Sequence, residues 1–403
     1  MKLRDYQTKI VSQASDIIGA FGFVYLAMEV RTGKTLTSLS IAQEMSAKRV
    51  LFLTKKKAIS SIEDDYFNFG FDFDLVVTNY ESMHKIKGPF DFLILDEAHG
   101  MGAFPKPSKR AKMVKMFIEQ YDPMVVLLSG TPTPESYSQM YHQVYGIKRN
   151  PFSRYSNFYK FAKDYVDVKQ RHFNGFVSND YSSGKQSITD MMKRYTISYS
   201  QKEAGFKVDT KEHILEVEMS DKVYRIADKL RRDLVVEGKD EVILADTPVK
   251  LMGKLHQLYS GTVKFESGNR RVIDYSKASY IRHYFRDKKI GIFYKFTAEL
   301  DALKQMYGDD LCTELDDFNG SSKSIALQIV SGREGISLRE ADALVYYNID
   351  FSATSYWQSR DRMTTKDRLR SDVYWVFAKG GIEYDIYETV KSKKNYTLSH
   401  FRK

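Results

Sequence analysis

The sequence predicts an α/β fold built on parallel sheets and laid out in two successive segments. Three observations carry this. Across residues 1–149, short runs of Val, Leu, Ile and Phe alternate with stretches of helical character. The runs are continuously apolar, the pattern of strands covered on both faces, which is how parallel sheets are built. The same pattern restarts at "HILEVEM" (213–219), after a region of different composition. At 403 residues the chain has room for two or three domains.

In the first segment the expected strands are "GFVYLAM" (22–28), "RVLFLT" (49–54), "DLVVTN" (74–79), "FDFLILD" (90–96) and "PMVVLLSG" (123–130). Each is followed by polar or turn residues. Helical candidates such as "KTLTSLSIAQEMSA" (34–47) lie between them. Residues 150–208 are aromatic, basic and poor in branched aliphatics, and read as a small helical or irregular insertion between two lobes. The second segment, 209–403, offers strands at "KIGIFY" (289–294), "SIALQIVS" (324–331), "ALVYYNID" (343–350) and "VYWVFA" (373–378). No internal repeat is visible.

Composition narrows the function classes. The 62 basic and 52 acidic residues leave a formal charge of +10, which suits a polyanionic partner. One cysteine, Cys312, excludes an intrachain disulfide and a cysteine-based metal site. No signal-peptide core or membrane-length apolar run is present. A soluble protein of a reducing, cytoplasmic compartment is expected.

The chemistry concentrates in three motifs, each after an expected strand. "MEVRTGKT" (28–35) ends like a phosphate-binding loop, although Met28 stands where the strict pattern has glycine. Strand, loop and helix follow in the order that presents backbone N–H groups to an anion. Gly33 allows close approach, Lys34 would neutralise phosphate charge and Thr35 would offer its hydroxyl to Mg²⁺. "FDFLILDEAHG" ends a buried strand on Asp96 and Glu97, a costly acidic pair unless it meets a cation. Asp96 would hold Mg²⁺, and Glu97 would orient or deprotonate an attacking water; the alternative is an acid pair capping a helix. "LLSGTPTPES" places Ser129, Gly130, Thr131 and Pro132 after another strand, by itself no more than a turn. The three in this order are specific where each alone is not.

With these motifs in place, the chain resembles the superfamily 2 helicase-type ATPases, closest to the Swi/Snf-like branch and its compact phage and bacterial members. The resemblance covers nearly the whole sequence. "LRDYQ" (3–7) resembles the opening motif, which implies that Gln7 reads adenine. The branch's own loop variant lacks the first glycine and carries a glutamate at the position of Glu29, so Glu29, Arg31, Thr32, Gly33, Lys34 and Thr35 are implied in nucleotide binding. "SGREGISLREAD" (331–342), with Gly335, resembles the fifth motif. "YWQSRDRMTTKDR" (356–368) resembles the sixth, with Gln358 and Arg362 on matching positions. Its second arginine is replaced by Thr365; Arg360, Lys366 or Arg368 could supply that charge. Arg362 is the expected arginine finger, with Arg360 second. The resemblance implies two RecA-like lobes with ATP and Mg²⁺ in the cleft between them, and a motor that steps along nucleic acid as the lobes close and open.

Nucleic-acid contacts are expected past the second strand, at Thr54, Lys55, Lys56 and Lys57, where the alternative is a solvated lysine run. Ser331 and Arg333 would match them on the second lobe, and "VVTNYESM" (76–83) sits where such proteins touch the backbone. "FSRYSNFYKFAK" (152–163) reads either as a base-stacking groove or as a helix packed on a lobe. The leading function is an ATP-dependent translocase on duplex or branched DNA, acting as a monomer. A strand-separating DNA or RNA helicase is the alternative within the class. A degenerate ATPase serving as a DNA-binding scaffold is the alternative outside it, and the intact Lys34, Thr35, Asp96 and Glu97 oppose it.

Overall fold

The computed structural model describes residues 2–173, 176–205, 209–332, 337–363 and 370–392. The chain divides into two compact units, Met1–Phe206 and Lys207–Lys403. Each is built on a six-stranded sheet in which every neighbouring pair is parallel. The two-lobed, RecA-like α/β class expected from the sequence is therefore the one observed.

In the first unit the strands are β1 (Phe23–Met28), β2 (Arg49–Thr54), β3 (Asp74–Asn79), β4 (Phe92–Leu95), β5 (Met124–Leu128) and β6 (Thr196–Tyr199), in the order β3-β2-β4-β5-β1-β6. Successive side chains on a strand face opposite ways, and the apolar runs use both faces. Val24, Leu26, Val50, Phe52, Ile94 and Val126 pack against helices α1 (Asp5–Phe21), α2 (Lys34–Glu44) and α3 (Ile59–Phe69). Tyr25, Leu51, Leu53, Leu93, Val125 and Leu127 pack on the other face against α4 (Lys109–Tyr121). This two-sided burial explains why the sequence showed no period-two alternation. The helix α1 follows the same logic: Ile10, Val11, Ala14 and Ile18 form its buried stripe. Gly22, at φ 77°, ends it and sends its N–H back to the Ile18 carbonyl.

Residues 150–208 hold more than helices. They contain a helix (Phe158–Tyr165), an antiparallel hairpin (Lys169–Phe173 with Phe176–Asp180), a short helix (Ser187–Met192) and the edge strand β6. Phe152, Phe158, Phe161 and Tyr165 are buried in the core beneath α4. The aromatic–basic alternation of 152–163 thus records packing in which Phe152, Phe158 and Phe161 fill a core, while Tyr159 is 46% exposed.

The second unit has strands β7 (Asp209–Val217), β8 (Ile290–Tyr294), β9 (Leu311–Cys312), β10 (Ser324–Gln328), β11 (Ala343–Tyr346) and β12 (Arg370–Ala378), ordered β9-β10-β8-β11-β12-β7. Its sheet again divides the core: Ile292, Val345 and Val376 point to one face, and Phe293, Leu344 and Trp375 to the other. Between β9 and β10 the chain makes a short helix, Leu315–Gly320. Among the described residues no helix is long and apolar enough to cross a membrane.

Candidate ATP site

The loop between β1 and α2 is shaped by two left-handed residues, Arg31 at φ 62° and Gly33 at φ 81°. Gly33 is the N-cap of α2 and carries no side chain that would block the amide groups of the first turn. The loop is closed on itself by Thr32, fully buried, whose hydroxyl donates to the Glu29 carbonyl at 2.7 Å. The Lys34 ammonium donates to the carbonyls of Met28 (3.0 Å) and Glu29 (3.2 Å), so it crosses the mouth of the loop. Thr35 stands half-buried in the first turn of α2.

Gln7 lies against this loop. Its amide donates to the Gly33 carbonyl and to Thr37 Oγ1, each at 3.2 Å, while its oxygen accepts from the Arg4 N–H at 3.0 Å. A Cβ on Gly33 would come 2.5 Å from Gln7 Nε2. Gln7 is only 4% exposed, so the structure makes it a brace for the loop whatever it contacts when nucleotide is present. Tyr6 adds a second brace, its hydroxyl donating to the Thr32 carbonyl at 3.0 Å. The Glu29 carboxylate is turned to the far side, where it accepts the Gln201 N–H at 2.7 Å.

Asp96 follows β4 and sits beside the end of β2. Thr54 donates its hydroxyl to Asp96 Oδ2 at 2.8 Å, and Tyr80 donates to the Asp96 carbonyl at 2.7 Å. Burial, with the neighbouring Glu97 charge second, pushes the Asp96 carboxyl up to about 6, against the opposing pull of the Thr54 hydrogen bond and the Lys34 charge. A carboxylate uneasy as an anion, within electrostatic reach of the loop lysine, is what a cation would relieve. Glu97 stands at φ 49°, an uncommon backbone for a residue with a side chain. Its carboxylate lies 3.2 Å from His99 Nδ1, which is 3.0 Å from Ser129 Oγ; that oxygen accepts the Thr131 N–H at 3.1 Å. The acidic strand end and the Ser-Gly-Thr-Pro turn are thereby one hydrogen-bonded line.

Glu29, Arg31, Thr32, Gly33, Lys34 and Thr35 thus lie on the loop after β1 and the start of α2, with Gln7 against that loop, and Asp96 and Glu97 follow β4. Thr54, expected to touch a phosphate, is 1% exposed and its hydroxyl belongs to Asp96. As the last residue of β2 it faces the carboxylate, while Lys55 is half-buried and Lys56 and Lys57 are exposed in the following turn. Tyr80 and His99 lie inside "VVTNYESM" and "FDFLILDEAHG", but their contacts to Asp96 and Ser129, like that of Gln201 to Glu29, are tertiary and have no signal in local spacing.

In the second unit the expected pair separates by environment. Arg360 Nη1 bonds Glu212 Oε1 at 3.0 Å, and the same carboxylate accepts from Tyr356, Trp375 and Tyr387. Arg360 is thus held in a structural knot between β7, β12 and the last two helices. Arg362 is 8% exposed, and its carbonyl accepts the Leu338 N–H at 2.9 Å. Ser331 lies in the turn Ile329–Gly332. Arg333, Gly335, Thr365, Lys366 and Arg368 lie outside the described residues, as does the side chain of Gln358.

A family model described as the SNF2-related domain matches residues 48–259, more than half of the chain. The protein belongs to the SNF2-related family. That span includes the acidic strand end and the Ser-Gly-Thr-Pro turn and begins after the loop that carries Lys34 and Thr35. Two solved structures are similar in fold, both Sulfolobus solfataricus SWI2/SNF2 ATPase cores. One, in complex with double-stranded DNA, is 14% identical, with 97% of this chain and 91% of that chain covered and a TM-score of 0.43. The other, the core domain, is 15% identical, with 98% and 89% covered and a TM-score of 0.41. No curated protein sequence matches the chain.

Proposed function

We propose that the protein hydrolyses ATP with Mg²⁺ and uses that hydrolysis to track along DNA, driving exchange of paired strands or displacement of bound material. The observation that supports this most is the pairing, in an SNF2-related chain, of a loop-borne Lys34 with an acidic strand end whose Asp96 is destabilised as a free anion. The donor set suits Mg²⁺, a hard cation commonly held by one or two protein oxygens together with substrate phosphates. Asp96 and the Thr35 hydroxyl would hold it. Bound there, Mg²⁺ would offset phosphate charge as a Lewis acid.

The chain's own groups then divide the work. Lys34 exchanges its two loop carbonyls for phosphate oxygens, and the first amides of α2 face the same anion. Gln7 keeps Gly33 in place. Glu97 orients the attacking water and takes its proton, with His99 fixing the carboxylate through Nδ1. Arg362 acts on charge that develops in the transition state, and Arg360 maintains the fold around it. Lys55 and Lys56 hold the backbone of the strand, with Ser331 and Arg333 their counterparts in the second unit. Such contacts position DNA without reading its sequence.

Much of the segment 150–208 packs into the core of the first unit through Phe152, Phe158, Phe161, Tyr165, Ile188 and Met192. Beyond that core the segment offers the hairpin Lys169–Phe173 with Phe176–Asp180, which is short for a strand-separating wedge. The test compares a fork whose arms can re-pair with a simple tailed duplex of equal length. ATP-dependent migration of the fork without separation of the tailed duplex is expected. Efficient separation of long tailed duplexes by the protein alone would assign it to the helicases instead.

A further inference from the structure

The nucleic-acid contacts expected from the sequence in the first unit fall on the lysines after β2 and on "VVTNYESM" (76–83). The fold carries the basic surface further, to Arg110, which no motif singles out. Arg110 is the second residue of α4. Its guanidinium lies over the ring of Tyr80, 4.5 Å from the centroid. A Cβ added to Gly100 would come 2.8 Å from its Nη1, so the segment after the acidic pair closes on it from a second side. One edge of the guanidinium remains, and there Nη2 donates to Glu81 Oε1 at 2.6 Å.

Glu81 follows Tyr80 in the turn Tyr80–Lys85, at the C-terminal end of β3. Its carboxyl is held below the usual carboxylate range, first by the Arg110 hydrogen bond and further by the charge of Lys55. One carboxylate thus answers to two cations, one after β2 and one from α4. The pair is open to water, with Glu81 71% and Arg110 26% exposed. An ion pair of that kind is weak and screened by salt. The guanidinium is fixed in place, planar and permanently charged, which suits the oxygens of a phosphate better than a mobile ammonium does.

We propose that Arg110 binds a backbone phosphate of the nucleic acid, and that Glu81 is the internal anion this phosphate displaces. The proposal rests on the reading of the protein as a DNA motor. It also gives that motor a short line to its ATP site. The ring that carries Arg110 belongs to Tyr80, whose hydroxyl holds the carbonyl of Asp96.

The test is equilibrium binding of a blunt DNA duplex across a salt series, with wild type, Arg110→Ala, Arg110→Lys and Glu81→Gln. Arg110→Ala should weaken binding and lower the slope of log affinity against log salt by about one. Arg110→Lys should keep that slope with part of the affinity. Glu81→Gln removes the competing carboxylate and should bind a few-fold tighter than wild type. An unchanged slope in Arg110→Ala, or binding in Glu81→Gln no tighter than wild type, overturns the proposal and leaves the DNA-motor reading standing. Absence of salt-dependent duplex binding by wild type overturns both.

Discussion

Asp96 carries a pH signature that can be measured without any substrate. Burial, with the Glu97 charge second, pushes the Asp96 carboxyl up to about 6 from the 3.8 of an unperturbed aspartate. The folded state therefore holds the proton more tightly than the unfolded chain. The resulting penalty is absent at about pH 3, grows as pH rises toward 6 and is complete above it. Asp96→Asn should thus stabilise the metal-free protein at about pH 7.5 by on the order of 1–3 kcal/mol, with little gain at about pH 4. Thermal melts at the two pH values check this; equal gains at both would place the effect outside Asp96 ionisation. The same variant should lose Mg²⁺-dependent ATP turnover. Lys34→Ala and Glu97→Gln should each lose roughly 10²–10³ in turnover. Glu97→Gln should still bind ATP, because Asp96 keeps the metal, and nucleotide binding measured beside turnover separates the two roles. Near-normal turnover in Glu97→Gln would remove it as the base.

Elements fix these residues, and that is where sequence and structure part. The strands were legible because their apolar runs are long and unambiguous: β2 and β3 fall at 49–54 and 74–79 as read. The loop and the acidic pair were legible because their chemistry is packed into a few consecutive residues. What the sequence hid were partners brought in from afar. Glu212 gives no sign in sequence that four side chains on β12 and two helices will converge on it. Nor does Arg360, two residues from Arg362, show that it is committed to that carboxylate. The two arginines should accordingly fail differently. Arg360→Ala breaks a largely buried ion pair and should cost about 2–4 kcal/mol of stability in the second unit. Arg362→Ala should lower the ATP hydrolysis rate more than ATP affinity, and more than Arg360→Ala lowers it. The reverse order in kinetics would exchange their roles. At the loop, Gly33→Ala meets both an unfavourable φ and the Gln7 amide, and should raise the KM for ATP; an unchanged KM would show that Gln7 gives way freely.

For the whole molecule, the charge of +10 and the proposed motor function on DNA lead to one expectation: affinity set by backbone phosphates, falling steeply with salt. The central claim is that hydrolysis at the Lys34–Asp96–Glu97 site answers to DNA. Its most direct test is steady-state ATP turnover with no nucleic acid, then with single-stranded, duplex, forked and four-way DNA and with RNA, in wild type and Glu97→Gln. The account predicts low turnover alone, strong stimulation by duplex and branched DNA, and none of it in Glu97→Gln. Turnover indifferent to every nucleic acid, or stimulation that survives in Glu97→Gln, would contradict it.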